Sequence, residues 1–220
     1  FAMVPIFLLT ENKLTVRDIR PSIFNQFYKS FQYSIKIPAI WLAGLLELMV
    51  YLTIYAIKAF LPLFIISQEG GTVLWAGLFF FVQELTHFIF RPVGGSASDR
   101  YGQSIVIFCG MIFIALGLCT ITNFPLNFIL ITAIFLGIGQ GLIFPSSVAL
   151  LSKRSNDSHL GAAMGLYGAL RNLGKVVGPI GAGILLALFD YSTVFYIFAG
   201  LIIFSLVSAA PFWIKSNVKS

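Results

Sequence analysis

The sequence predicts an all-α membrane protein with six transmembrane helices, and three observations carry that prediction. Of the 220 residues, 58% are hydrophobic and only 10% are charged, a balance outside that of soluble domains. The apolar residues gather into six runs of about 20 residues or more, the length at which a helix crosses the hydrocarbon core. The charges between those runs are segregated, because eleven Lys and Arg fall on one side of the alternating loops and none on the other. Transmembrane strands would be about half as long and would alternate polar with apolar residues.

The six runs cover residues 37–66, 72–93, 104–122, 125–151, 159–188 and 192–214. Ahead of them, residues 1–9 are apolar and begin with Phe rather than Met, with no basic stretch or cleavage site of a signal peptide. They read as the end of a preceding membrane helix, so the chain looks like a fragment. Residues 10–36 mix basic side chains with Phe24, Phe27, Tyr28 and Phe31 and read as a cytoplasmic linker with an amphipathic stretch on the inner membrane surface. The expected organisation is therefore 1–36 as helix end plus linker, 37–215 as the six-helix bundle and 216–220 as a cytoplasmic tail.

The first run holds Glu47 and Lys58, and the second Glu84 and His87. The third has no charge; its Cys109 and Cys119 lie about 15 Å apart along a helix, too far for a disulfide, and read as small packing residues. The fourth carries Gly137, Gly139, Gly141 and Pro145, which suit close contact and flexion, with Gln140 as its polar candidate. The fifth carries Tyr167, Arg171 and Lys175, and the sixth is again uncharged.

Six crossings put both ends of the bundle on one side. That side collects Lys13, Arg17, Arg20, Lys29, Lys36, Arg91, Arg100, Lys153, Arg154, Lys215 and Lys219, whereas the loops around Glu69, Asn123 and Asp190 have no Lys or Arg. The positive-inside rule makes the basic side cytoplasmic and implies a multi-pass protein of the cell membrane. The net charge of +6, which in a soluble domain would point to nucleic acid, is thus accounted for by topology.

Between the second and third runs, Gly95-Ser96-Ala97-Ser98-Asp99-Arg100-Tyr101-Gly102 reads G-x-x-x-D-R-x-G in an expected short cytoplasmic turn over 94–103. Gly95 would let two helices approach and Gly102 would permit a tight turn, while Asp99 would pair with a cation or a helix N-terminus and Arg100 would anchor the loop. This stretch resembles the signature loop of the major facilitator superfamily, although Gln103 and Ser104 stand where the family pattern continues with basic residues. In the fifth run, Gly174-Lys175-Val176-Val177-Gly178-Pro179-Ile180-Gly181-Ala182-Gly183 is similar to the G-x-x-x-G-P-x-x-G-G run of the superfamily's proton-coupled antiporters, with Ala182 replacing one glycine. Gly174, Gly178 and Pro179 read as a contact face and a bend. The resemblance implies half of a twelve-helix fold, its seventh to twelfth helices, with the N-terminal half of the same protein as a missing partner.

Ionisable residues within spans are costly and mark polar pathways. At 100° per residue, Glu47 and Lys58 project within about 20° of each other, Glu84, His87 and Arg91 share a face, and so do Tyr167, Arg171 and Lys175. Three polar stripes therefore are expected to converge on one cavity, with Gln140 facing it from the fourth run. Arg171 and Lys175 would contact an anionic group and Glu47 or Glu84 would exchange a coupling proton, unless these charges simply neutralise one another between helices. Lys58 would snorkel or pair, and His87 would pack through a hydrogen bond or relay protons.

The function expected is secondary active transport of a small solute by alternating access, coupled to protons, with efflux antiport favoured over the alternative of uptake symport for an organic anion. The expected partners are that solute, protons and the lipid bilayer. A non-transporting membrane receptor or scaffold is the reading of a different class. No Walker loop, H-E-x-x-H or G-x-S-x-G is present, so neither an ATP-driven pump nor an enzyme is expected, and neither a metal nor a cofactor is implied.

Overall fold

The computed structural model describes residues 32–68, 70–123, 125–155 and 159–217. The expected helix end and most of the linker, with Phe24, Phe27, Tyr28 and Phe31, lie outside the described residues, as do Glu69 and residues 218–220 of the tail. The described residues form six long helices and no strand: α1 Pro38–Ser67, α2 Val73–Tyr101, α3 Gln103–Asn123, α4 Ile129–Arg154, α5 Leu160–Leu186 and α6 Tyr191–Asn217.

Local chemistry sets the boundaries. Pro38 opens α1 at a position where a missing N–H costs nothing, and Gly70 at φ +74° turns the chain towards α2. A single 3-10 turn, Leu126–Phe128, leads into α4, which ends on Lys153 and Arg154, cations suited to a helix C-terminus. Asp190 precedes α6 and accepts hydrogen bonds from the Thr193 hydroxyl at 2.6 Å and the Thr193 amide at 3.2 Å, a capping arrangement. Those bonds hold the exposed Asp190 carboxyl below the usual aspartate range.

The expected turn over 94–103 is mostly helix. α2 continues through Pro92 for nine more residues to Tyr101, and the chain reverses at Gly102 alone, at φ +92°, before α3 begins at Gln103. Ser96, Ala97 and Ser98 carry no feature that breaks a helix, so the break falls at the glycine that adopts a left-handed φ. The expected close approach also shifts by one residue. A Cβ on Gly95 would meet nothing within 4 Å, whereas one on Gly94 would lie 2.5 Å from the Gly141 carbonyl of α4. Asp99 is exposed and makes no ion pair among the described residues, and Arg100 lies over the Tyr101 ring at 5.3 Å. Arg91, taken above as a residue of the cytoplasmic side, lies well inside α2.

The helices associate chiefly as α2 with α4, α1 with α5, and α3 with both α4 and α6. On α5, a Cβ at Gly174 would overlap the Leu48 carbonyl and one at Gly178 the Leu52 carbonyl, so this interface brings backbone against backbone. Gly137, Gly139 and Gly141 of α4 make equally tight approaches, to α2 and α3. By contrast, the one glycine of α6, Gly200, approaches nothing within 4 Å, and α3 and α6 bury large side chains such as Leu118, Phe198 and Ile202 in the core. Neither cysteine is bonded; Cys119 packs against this core, but Cys109 is exposed, so the expected packing role holds for only one of them.

Many large apolar side chains point outward, among them Phe88 and Phe204 at 72% exposure, as a lipid-facing surface requires. Among the described residues, five helical stretches are long and apolar enough to cross a membrane: Pro38–Ser67, Val73–Tyr101, Gln103–Ile121, Leu126–Arg154 and Tyr191–Pro211. The expected sixth, α5, is 27 residues long but falls short in apolarity. Its Arg171, Asn172, Lys175 and repeated glycines lower its hydropathy, and the same residues make its polar stripe and its contact with α1. The protein is an all-α membrane protein.

Candidate functional site

The site is built on the faces that α1, α2, α4 and α5 turn towards one another. On α1, Glu47, Tyr51, Tyr55 and Lys58 follow at helical spacing and form one stripe. Glu47 is fully buried, and its Oε2 accepts a hydrogen bond from the Ser147 hydroxyl of α4 at 3.4 Å. The Tyr167 hydroxyl of α5 faces this carboxyl as a hydrogen-bonding neighbour and Arg171 acts on it as a charge, but Oε1 and the Tyr167 hydroxyl do not meet in close hydrogen-bond geometry, and Arg171 Nε has no hydrogen-bond partner. A carboxylate taken out of water costs several kcal/mol unless it is paired and hydrogen-bonded, of order ~3 or more when a partner is removed. Glu47 is thus held beside, but not locked to, its nearest cation.

Arg171 instead spreads over aromatic faces. Its guanidinium lies 5.5 Å from the centroids of Tyr51 and Phe144 and 5.9 Å from that of Tyr167. Lys175, one turn along α5, lies 5.3 Å from the Tyr51 ring and 5.6 Å from the Tyr55 ring. Tyr51 and Tyr55 are stacked with centroids 6.0 Å apart. Arg91 of α2 reaches the Phe144 ring at 4.6 Å, so Arg91 and Arg171 share one ring of α4. These distances are in the range where a cation is drawn to the ring quadrupole.

Lys58 closes the other end. It lies 5.3 Å from the Tyr55 ring and donates to Glu84 Oε1 of α2 at 2.8 Å, bridging α1 and α2. Glu84 Oε2 sits 3.3 Å from His87 Nδ1, while His87 Nε2 is buried without a partner. Gln140 of α4 is half-buried with its Nε2 unpaired. Among the described residues no group of three or more His, Cys, Asp or Glu is placed to hold a metal ion.

The three stripes expected from helical geometry do come together, but as a ladder rather than a ring of ion pairs. It runs from Arg91 through Phe144, Arg171, Tyr51, Lys175 and Tyr55 to Lys58, Glu84 and His87. Glu47 and Lys58, which project to the same side of α1, serve different ends: Glu47 faces α4 and α5, and Lys58 faces α2. The signature-stretch residues Gly95, Asp99, Arg100 and Gly102 lie at the α2–α3 reversal instead, Gly174 and Gly178 form the expected contact of α5 with α1, and Pro179 lies within α5. Sequence reasoning missed Tyr51, Tyr55 and Phe144. Their signal was the spacing of four, four and three residues from Glu47 through Tyr51 and Tyr55 to Lys58, for the tyrosines; nothing in the sequence marks Phe144.

Comparison with known proteins gives this geometry its setting. The chain is 25% identical over 189 residues to an uncharacterized MFS-type transporter, YuxJ, of Bacillus subtilis, covering 83% of this chain and 46% of that protein. It is 27% identical over 164 residues to the multidrug resistance protein MdtH of Aeromonas salmonicida, covering 74% and 41% respectively. It is also 31% identical over 108 residues to multidrug resistance protein 3 of B. subtilis, covering 48% and 21%. The chain therefore spans less than half the length of these curated relatives. The family model of the Major Facilitator Superfamily matches residues 43–220, from the first helix that carries the ladder to the end of the chain, and the protein belongs to that superfamily.

Proposed function

We propose that this chain is the C-terminal half of a proton-coupled secondary transporter that moves a small solute across the cell membrane by alternating access, in the direction of efflux. The observation that carries this reading is Glu47, a fully buried carboxyl group with no ion pair among the described residues, set beside Arg171 on a neighbouring helix. A proton on Glu47 alters the balance between that carboxyl and Arg171, and a solute bound among the rings alters the same balance, so the two occupancies are linked. The efflux direction draws on the relatives named for multidrug resistance. Helices α1, α2, α4 and α5 would line the pathway, with the basic loops and both ends of the bundle in the cytoplasm, and the N-terminal half would supply the opposite wall.

The test is flux in proteoliposomes containing the protein from its complete gene, with an imposed pH gradient. Expected is gradient-driven movement of a lipophilic dye that collapses with a protonophore and is lost in Glu47→Gln. Gradient-driven flux that persists unchanged in Glu47→Gln would remove this carboxyl from the coupling step. Uptake symport of an organic anion is the second reading, favoured by the excess of cations over carboxylates along the ladder, and it predicts accumulation with the proton gradient rather than against it.

A further inference from the structure

The ladder holds four cations and two carboxylates. Lys58 is taken up by Glu84, and Glu47 faces Arg171 without an ion pair. Arg91, Arg171 and Lys175 therefore have no carboxylate within 4 Å among the described residues, and their close partners are aromatic rings. A ring face attracts a cation weakly and does not neutralise it, so three positive charges are left with charge-assisted bonds to give. Arg171 and Lys175 both lie over Tyr51, Arg171 reaching Phe144 as well and Lys175 reaching Tyr55, and the three rings are all half-buried, neither packed away nor fully in the open.

We infer that this surface binds an organic anion with a planar aromatic body, its carboxylate taken by Lys175 and Arg171 and its ring laid against Tyr51 and Tyr55. The charge and the rings each select. A cationic solute would meet three unpaired positive charges, a neutral one would stack but leave those charges unsatisfied, and an aliphatic acid would be neutralised without stacking. This substrate class rests on the transport reading above for its biological use, but the binding chemistry does not require transport.

The experiment is calorimetric binding of three isosteric probes to the detergent-solubilised protein from its complete gene: 2-naphthoate, neutral 2-naphthamide and cationic 2-naphthylmethylammonium. Naphthoate is expected to bind about tenfold or more tightly than either of the others, the size of one charge-assisted pair. Lys175→Gln should shrink the preference for naphthoate over naphthamide, Lys175→Gln combined with Arg171→Gln should abolish it, Lys175→Arg should keep it, and Tyr51→Leu should weaken all three probes together. Equal affinities, tightest binding of the ammonium probe or binding of none of them would overturn the inference, as would a Lys175→Gln variant that keeps its full preference. Flux measured in parallel separates the two readings: binding of naphthoate without gradient-driven flux of any solute fails transport alone, and flux of the ammonium probe without naphthoate binding fails the anion site alone.

Discussion

Two pairs of helices in this protein, one carrying charge and one apolar, are held together differently. The α1–α5 pair meets backbone to backbone at Gly174 and Gly178 and carries Glu47, Arg171 and Lys175 beside that contact. The α3–α6 pair has no charged residue in its apolar runs, Gly200 of α6 approaches nothing within 4 Å, and both helices bury large side chains such as Leu118, Phe198 and Ile202. Where lipid offers little hydrophobic drive, small residues let two backbones close and leave room beside them for long polar side chains. Side-chain packing fills that room instead and builds a wall.

The largest effect expected is at the backbone contact. Gly178→Leu places a branched side chain where a single Cβ already overlaps the Leu52 carbonyl, and it should abolish monodisperse protein on size exclusion; the same change at Gly200, where a Cβ meets nothing within 4 Å, should leave the elution profile intact. If both variants behave alike, the contrast between the pairs fails. Next is the wall: Leu118→Ala empties a fully buried site and should cost about 2–5 kcal/mol in reversible unfolding, whereas Phe204→Ala on the exposed face should change stability by about 0.5 kcal/mol or less.

A smaller effect is expected at the outer end of the ladder. Lys58 and Glu84 form a 2.8 Å pair whose side chains are 34% and 50% exposed, so a double-mutant cycle of Lys58→Met and Glu84→Gln should return a coupling of about 1 kcal/mol or less, decreasing with salt. A larger coupling would make that pair a clamp between α1 and α2. The smallest effect is acid-dependent. Because hydrogen bonds from Thr193 lower the Asp190 carboxyl in the folded state, its contribution is present above the ordinary aspartate range and fades as pH falls through the depressed value. Asp190→Asn should lower stability slightly at neutral pH, leave it unchanged below the depressed value and so flatten the acid limb of a stability profile.

Much of the fold was legible in the sequence because hydropathy reports directly on the solvent a segment prefers. The runs at 37–66 and 104–122 agree with α1 and α3 to within a residue or so at each end. The run ending at Val93 stopped eight residues early, since Pro92, Gly94 and Gly95 look like punctuation although the helix runs through all three to the left-handed φ of Gly102. Helical periodicity also placed Glu47, Glu84, His87, Arg171 and Lys175 on their stripes. It did not reveal which charge meets which: Lys58 pairs across to Glu84, and Arg91, counted with the cytoplasmic loops, joins Arg171 over Phe144. With 15% aromatic residues in the chain, the rings that matter were hidden among the many that face lipid.

The sequence by itself thus determined that the chain lies in a membrane as helices, where most of them begin and end, and which of them carry charge. These are properties of one segment in its solvent, and a 3.6-residue period with a transfer free energy suffices to read them. Only the tertiary structure decided that Glu47 lies buried beside Arg171 without an ion pair and that three cations rest on rings instead of carboxylates. Those facts depend on how close two backbones come and how far one helix is turned against the next. Both are set by contacts between residues far apart in the chain, such as Gly174 with Leu48, that no local pattern records.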